Sequence, residues 1–172
     1  MNVKLLNQLI RPQLFEYIKQ LNLPDINISE LEDALNINQT QRDYLYNIGA
    51  QKFAVGDFTN SLAVFNILVM LEPSNCEYLK SIAANYQVLE EYSFAITYYK
   101  LAYVFREDLN ADCLYYLANC AYKLYNYEET LKYTRQFIEA EDINKDSDML
   151  LRAKFIQKNA QDKLQMNKEA KS

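Results

Sequence analysis

Carboxylates stand in pairs at Glu90-Glu91 and Glu128-Glu129 and in a run at Glu139-Ala140-Glu141-Asp142, and cysteines at Cys76, Cys113 and Cys120. These are the side chains from which acid–base, nucleophilic or metal chemistry would most readily be built. Histidine is absent, which removes the usual base near neutral pH. Most of the acids fall at turns or on hairpin outsides rather than opposite a nucleophile, so the chain is not expected to be an enzyme. A zinc site would need all three cysteines plus a carboxylate, with no close ligand pair among them, and reduced, packed thiols are expected instead. No Gly-rich phosphate loop occurs, and no cofactor or metal is expected.

What remains is the chemistry of recognition. Three sets of residues recur at spacings of four and then three: Tyr46, Ala50 and Phe53; Lys80, Ala84 and Gln87; Tyr115, Asn119 and Tyr122. That spacing puts each set on one face of a helix. Small residues leave holes for apolar side chains, and tyrosines give rigid amphipathic walls. Lys80, Gln87 and Asn119 are donors within reach of the backbone carbonyls that an extended peptide cannot satisfy by itself. Asp43, Glu77 and Asp112 precede the sets, where they either meet a basic group or favour the positive start of a helix. With 15 tyrosines in the chain, packing between helices competes with binding as the role of any one ring.

The elements that position these sets repeat. The aromatic closing each block falls at Phe58, Tyr92 and Tyr127, offsets of 34 and 35 residues. Each unit has an apolar residue at its fourth position (Leu45, Leu79, Leu114) and another at its seventh (Ile48, Ile82, Leu117). A small residue follows at the eighth (Gly49, Ala83, Ala118), and a second at Ser61, Ala95 and Thr130, where the next helix would cross closely. Phe65 with Leu68, Tyr99 with Ala102, and Thr134 with Phe137 are expected to fill the space against the following hairpin. Short turns at Val55-Gly56-Asp57, Leu89-Glu90-Glu91 and Leu124-Tyr125-Asn126 complete the hairpins, and Pro73 ends the first. Stacked hairpins line one side with their first helices, so the three sets are expected to form one concave groove.

Around the repeats, residues 5–23 carry an apolar stripe at helical spacing. It either caps the first hairpin or pairs with a second chain, where Leu9, Leu14, Tyr17, Ile18 and Leu21 would form a dimer interface. Residues 28–35 read as a short helix capped by Ser29. A last helix from Ser147 or Asp148 to about Leu164 offers Leu150, Leu151, Ala153, Phe155, Ile156 and Ala160 to cover the last hairpin. The expected organisation is all-α: an N-terminal segment 1–40, hairpins 41–75, 76–110 and 111–145, a capping helix 146–166 and a flexible tail 167–172. Two glycines and three prolines agree with helices joined by brief turns. A net charge of -5 without a basic patch argues against nucleic acid. No apolar stretch is long enough for stable membrane insertion, and the beginning lacks the pattern of a secretory signal, so a cytoplasmic protein is expected.

The repeat residues resemble the tetratricopeptide pattern. The whole arrangement, with its best local matches at Ile28-Ser29-Glu30-Leu31, at residues 45–58 and at Ala118-Asn119-Cys120-Ala121-Tyr122, is similar to the class II chaperones of bacterial type III secretion. The resemblance implies a bacterial cytoplasmic chaperone that holds a short, extended, proline-containing motif of a secreted hydrophobic translocator. By the repeat register that role falls to Tyr46, Ala50, Phe53, Lys80, Ala84, Gln87, Tyr115, Asn119 and Tyr122. It also implies a homodimer formed through the stretch around Leu9 to Leu21. The alternative is a three-repeat scaffold joining soluble protein partners.

Overall fold

The computed structural model describes residues 38–105, 111–140 and 148–170. Leu9, Leu14, Tyr17, Ile18 and Leu21, and the short helix expected at 28–35, lie outside them. Seven α-helices and no strand are found among the described residues: α1 (Gln39–Ala54), α2 (Phe58–Leu71), α3 (Cys76–Val88), α4 (Tyr92–Phe105), α5 (Ala111–Lys123), α6 (Tyr127–Ala140) and α7 (Asp148–Glu169). None is long and apolar enough to cross a membrane. The chain divides into two units, Met1–Pro73 and Ser74–Ser172.

In the first unit, Asn38 starts α1 with a reciprocal pair of bonds: its side chain accepts from the Gln41 amide at 3.0 Å, and the Gln41 side chain accepts from the Asn38 amide at 2.9 Å. Two otherwise orphaned donors are thereby satisfied. The hairpin is closed where small residues meet, since Gly49 and Ser61 are both buried and the Ser61 hydroxyl donates to the Gly49 carbonyl at 3.0 Å. Behind that contact Phe65, Ile67 and Leu68 are removed from water, each worth roughly 1.5–3 kcal/mol.

In the second unit, α3 packs on α4, α4 on α5, α5 on α6, and α7 on both α5 and α6. The small positions Ala83, Ala95, Ala118 and Thr130 are fully buried, as are Ala102, Thr134 and Phe137 behind them. The closing helix covers the last hairpin with Leu150, Ala153 and Ala160. Leu151 and Phe155, expected on that face, are 59% and 67% exposed. The buried stripe follows i, i+3 and i+10, which turns those two side chains outward. The helix also continues to Glu169, past the expected end at 166, with a Gln165–Glu169 hydrogen bond of 3.0 Å one turn apart on its surface.

Each first helix ends in the same turn. The amides of Gly56 and Asp57 donate to Phe53 and Lys52; those of Glu90 and Glu91 to Gln87 and Tyr86; those of Tyr125 and Asn126 to Tyr122 and Ala121. This double closure requires one left-handed residue. Gly56 supplies it at φ 80°, while Glu90 at 61° and Tyr125 at 59° adopt it with side chains. For a residue with a Cβ that conformation costs roughly 1–2 kcal/mol, partly offset because glycine loses more freedom on folding. Glu90→Gly is therefore expected to stabilise the protein by about 0.5–1 kcal/mol. A urea titration should show a higher midpoint at unchanged slope; an unmoved midpoint would show that the turn carries no strain.

Candidate functional site

The first unit presents Tyr46, Ala50 and Phe53 along α1. Ala50 is exposed, and Tyr46 and Phe53 are half-buried. Each ring is braced from behind by a residue of α2: Tyr46 meets Phe65 edge-on at 5.5 Å, and Phe53 meets Phe58 edge-on at 5.5 Å. Braced rings that keep one side in water are preorganised contact surfaces, because little rotamer freedom is left to lose on binding.

In the second unit, Lys80, Ala84 and Gln87 on α3 and Asn119 and Tyr122 on α5 are all partly exposed. Lys80 is already engaged, its ammonium donating to Glu77 at 2.8 Å and to Asp112 at 3.3 Å across to α5. Burial works against the charge, but the Glu77 hydrogen bond and the Asp112 carboxylate outweigh it and hold the group above the usual lysine range. Lys80 therefore ties α3 to α5 and leaves a local excess of one negative charge, rather than standing ready for a foreign carbonyl. Glu77 and Asp112 both lie in first turns, so they also serve the helix starts. The Gln87 side-chain oxygen accepts from the Tyr99 hydroxyl at 2.9 Å, which leaves its amide nitrogen as the group with donors to offer.

Tyr115 stands apart from its set. It is 7% exposed, with Tyr116 at 5.4 Å and Phe137 at 5.8 Å. Tyr116 in turn stacks on Tyr99 at 5.1 Å. The ring thus belongs to the packing between α5 and α6, and the open part of this face runs through Ala84, Gln87, Asn119 and Tyr122. Tyr122 is continued by two rings that the register reading did not include: Tyr127 lies 5.8 Å from it, and Tyr125 lies 6.4 Å from Tyr127. The signal for Tyr125 was its place in the repeat, where the first unit has a glycine.

The cysteines are not exposed on this surface. All three are free and buried, and burial pushes the thiols of Cys113 and Cys120 up to about 12. Thiols so protonated are poor nucleophiles and poor metal ligands, and no cluster suited to a metal occurs among the described residues.

The Fis1 C-terminal tetratricopeptide repeat family matches residues 111–161. No curated protein sequence matches the chain. Among solved structures, the Sgt2 TPR domain of Aspergillus fumigatus is 20% identical with a TM-score of 0.64, over 75% of this chain and 82% of that one. The type III secretion chaperone SycD of Yersinia enterocolitica, solved with a peptide of the translocator YopD, is 17% identical with a TM-score of 0.69, over 74% of this chain and 97% of that one. A type III secretion complex from Aeromonas hydrophila gives 16% and 0.70, over 87% of this chain and 97% of that one. The chain has the all-α fold of tandem tetratricopeptide-like hairpins with a closing helix, the fold that translocator chaperones of type III secretion also have.

Proposed function

We propose that this protein is a cytoplasmic bacterial chaperone that holds an extended segment of a hydrophobic type III secretion translocator on the open faces of its leading helices. The observation that carries the reading is the likeness in fold to SycD, solved with a peptide of the translocator YopD. A second such likeness, to PcrH in complex with the chaperone binding region of PopD, supports it. The face chemistry agrees within each unit by itself: Tyr46, Ala50 and Phe53 in the first, and Ala84, Gln87, Asn119 and Tyr122 in the second, offer rings, gaps and donors suited to apolar side chains and unsatisfied carbonyls. Tyr115 and Lys80, named with them in the register, act from behind by packing and by tying two helices. The segment held is a short proline-containing motif, and the chain works as a homodimer joined through Leu9, Leu14, Tyr17, Ile18 and Leu21. Holding the segment lowers the free population of an aggregation-prone protein by mass action, with no nucleotide needed.

A second reading is a scaffold for soluble partners, since the likeness in fold extends to the Sgt2 TPR domain of Aspergillus fumigatus and to the Fis1 repeat model. Co-expression separates the two. A chaperone makes a hydrophobic translocator soluble only in its presence, whereas a scaffold binds partners that are soluble alone. In the soluble complex, Phe53→Ala and Tyr122→Ala should each weaken association by about 1–3 kcal/mol at unchanged helicity. A translocator that stays insoluble beside the parent chain would end the chaperone reading.

A further inference from the structure

The turn between α5 and α6 places a large, exposed ring at the left-handed step that this turn requires. Tyr125 is 78% exposed and sits in the left-handed region at φ 59°, the conformation for which the first repeat uses Gly56. A ring that buried itself against the chain would offset the backbone cost, but this one meets Tyr127 only edge-on at 6.4 Å and otherwise faces water. Glu90 makes the same left-handed step in the second repeat, so what sets the third apart is the exposed ring and not the backbone.

The neighbours say what that is. Tyr125, Tyr127 and Tyr122 form a line of rings, with Tyr122 on the leading-helix face of this unit. The first repeat has the matching pair, Phe53 with Phe58, but glycine at the turn; the second has Gln87, held by Tyr99, and Glu90 at the turn. Only the third repeat adds a ring there. Three aromatic rings in succession offer apolar faces and edges, and phenol hydroxyls at their rims. Such a surface fits a bulky apolar side chain better than a charged or strongly hydrated group.

We infer that Tyr125 is a specificity-determining contact: with Tyr122 and Tyr127 it clamps a bulky apolar side chain at one end of the extended peptide. This rests on the peptide-holding reading above, and names the residue class that the third repeat selects.

The test uses the full chain and its Tyr125→Gly and Tyr125→Asn variants, both of which suit the left-handed turn. Random 12-residue peptides displayed on phage are selected on the parent chain. The strongest binders are synthesised with a fluorescent label, each also with alanine in place of its terminal apolar residue. Tyr125→Gly should be at least as stable as the parent, yet bind the apolar-ended peptides at least fivefold more weakly and the alanine-ended ones almost equally. Tyr125→Asn should behave likewise. Equal affinity of parent and variants for the apolar-ended peptides overturns the inference while leaving the chaperone reading standing. A change in oligomeric state on removing the ring would place it between two copies of the chain, and also overturns the inference. Selection that yields no binder to the parent chain removes both.

Discussion

Tyr115→Ala is expected to destabilise the second unit by about 3–5 kcal/mol, the range for deleting a large buried aromatic, whereas Tyr115→Phe should stay within about 1 kcal/mol. The ring is in contact with Phe137, which is itself wholly buried, and with Tyr116. Removing it opens a cavity between α5 and α6 that rigid neighbours fill only in part. The Tyr115 hydroxyl lies beside the Arg152 guanidinium, a group held above its usual range first by its hydrogen bond with Asp148. That contact is exposed to water, so its loss in the phenylalanine variant matters little. Urea denaturation of the two variants decides the point. If Tyr115→Ala instead retained the parent's stability and lost only peptide affinity, the ring would be a contact residue like Tyr122 and its packing role would be wrong.

Gly49→Val should cost about 3 kcal/mol, at the upper end of overpacking penalties. An ideal Cβ on Gly49 would lie 2.9 Å from the tip of the Phe65 ring, closer than real contacts allow, and a tight 3.0 and 3.2 Å from its flanking carbons. In an open helix, replacing glycine would help by about 1 kcal/mol. Here that gain is overridden, because the Phe65 ring, itself buried, must shift to admit the side chain. The other hairpins carry Ala83 and Ala118 at the same register, opposite Tyr99 and Thr134 rather than Phe65. Adding Phe65→Leu should accordingly recover much of the loss, a coupling that a double-mutant cycle of thermal or urea unfolding would measure. Independent, additive losses would show that the ring is not what excludes the side chain.

These two residues mark how far the sequence could be read. Positions that repeat because every hairpin has the same geometric need were legible: the small residues from Gly49 to Thr130, and Phe65, Leu68, Ala102 and Phe137 behind them, are all buried. The all-helical arrangement follows from them. Contacts that a residue makes beyond its own helix were not legible. Tyr115 has the register of Tyr46 and Lys80, yet Phe137 and Tyr116 close over it, and spacing within one helix carries no trace of its neighbours. Lys80 reads as a free donor until Asp112, 32 residues later, is seen beside it. The turns were placed correctly, but their left-handed step was hidden at Glu90 and Tyr125, since neither residue type announces it as Gly56 does. In the closing helix, Leu151 and Phe155 were assigned inward by hydrophobicity alone, without regard to which stripe Ala153 and Ala160 select.

The buried thiols give the molecule an internal record of its own opening. Cys76 lies in the second hairpin, and Cys113 and Cys120 in the third, none of them accessible to a reagent while the helices are closed. Alkylation at each must await local separation of the helices around it, so the three labelling rates, resolved by mass spectrometry, rank the free energies of opening hairpin by hairpin.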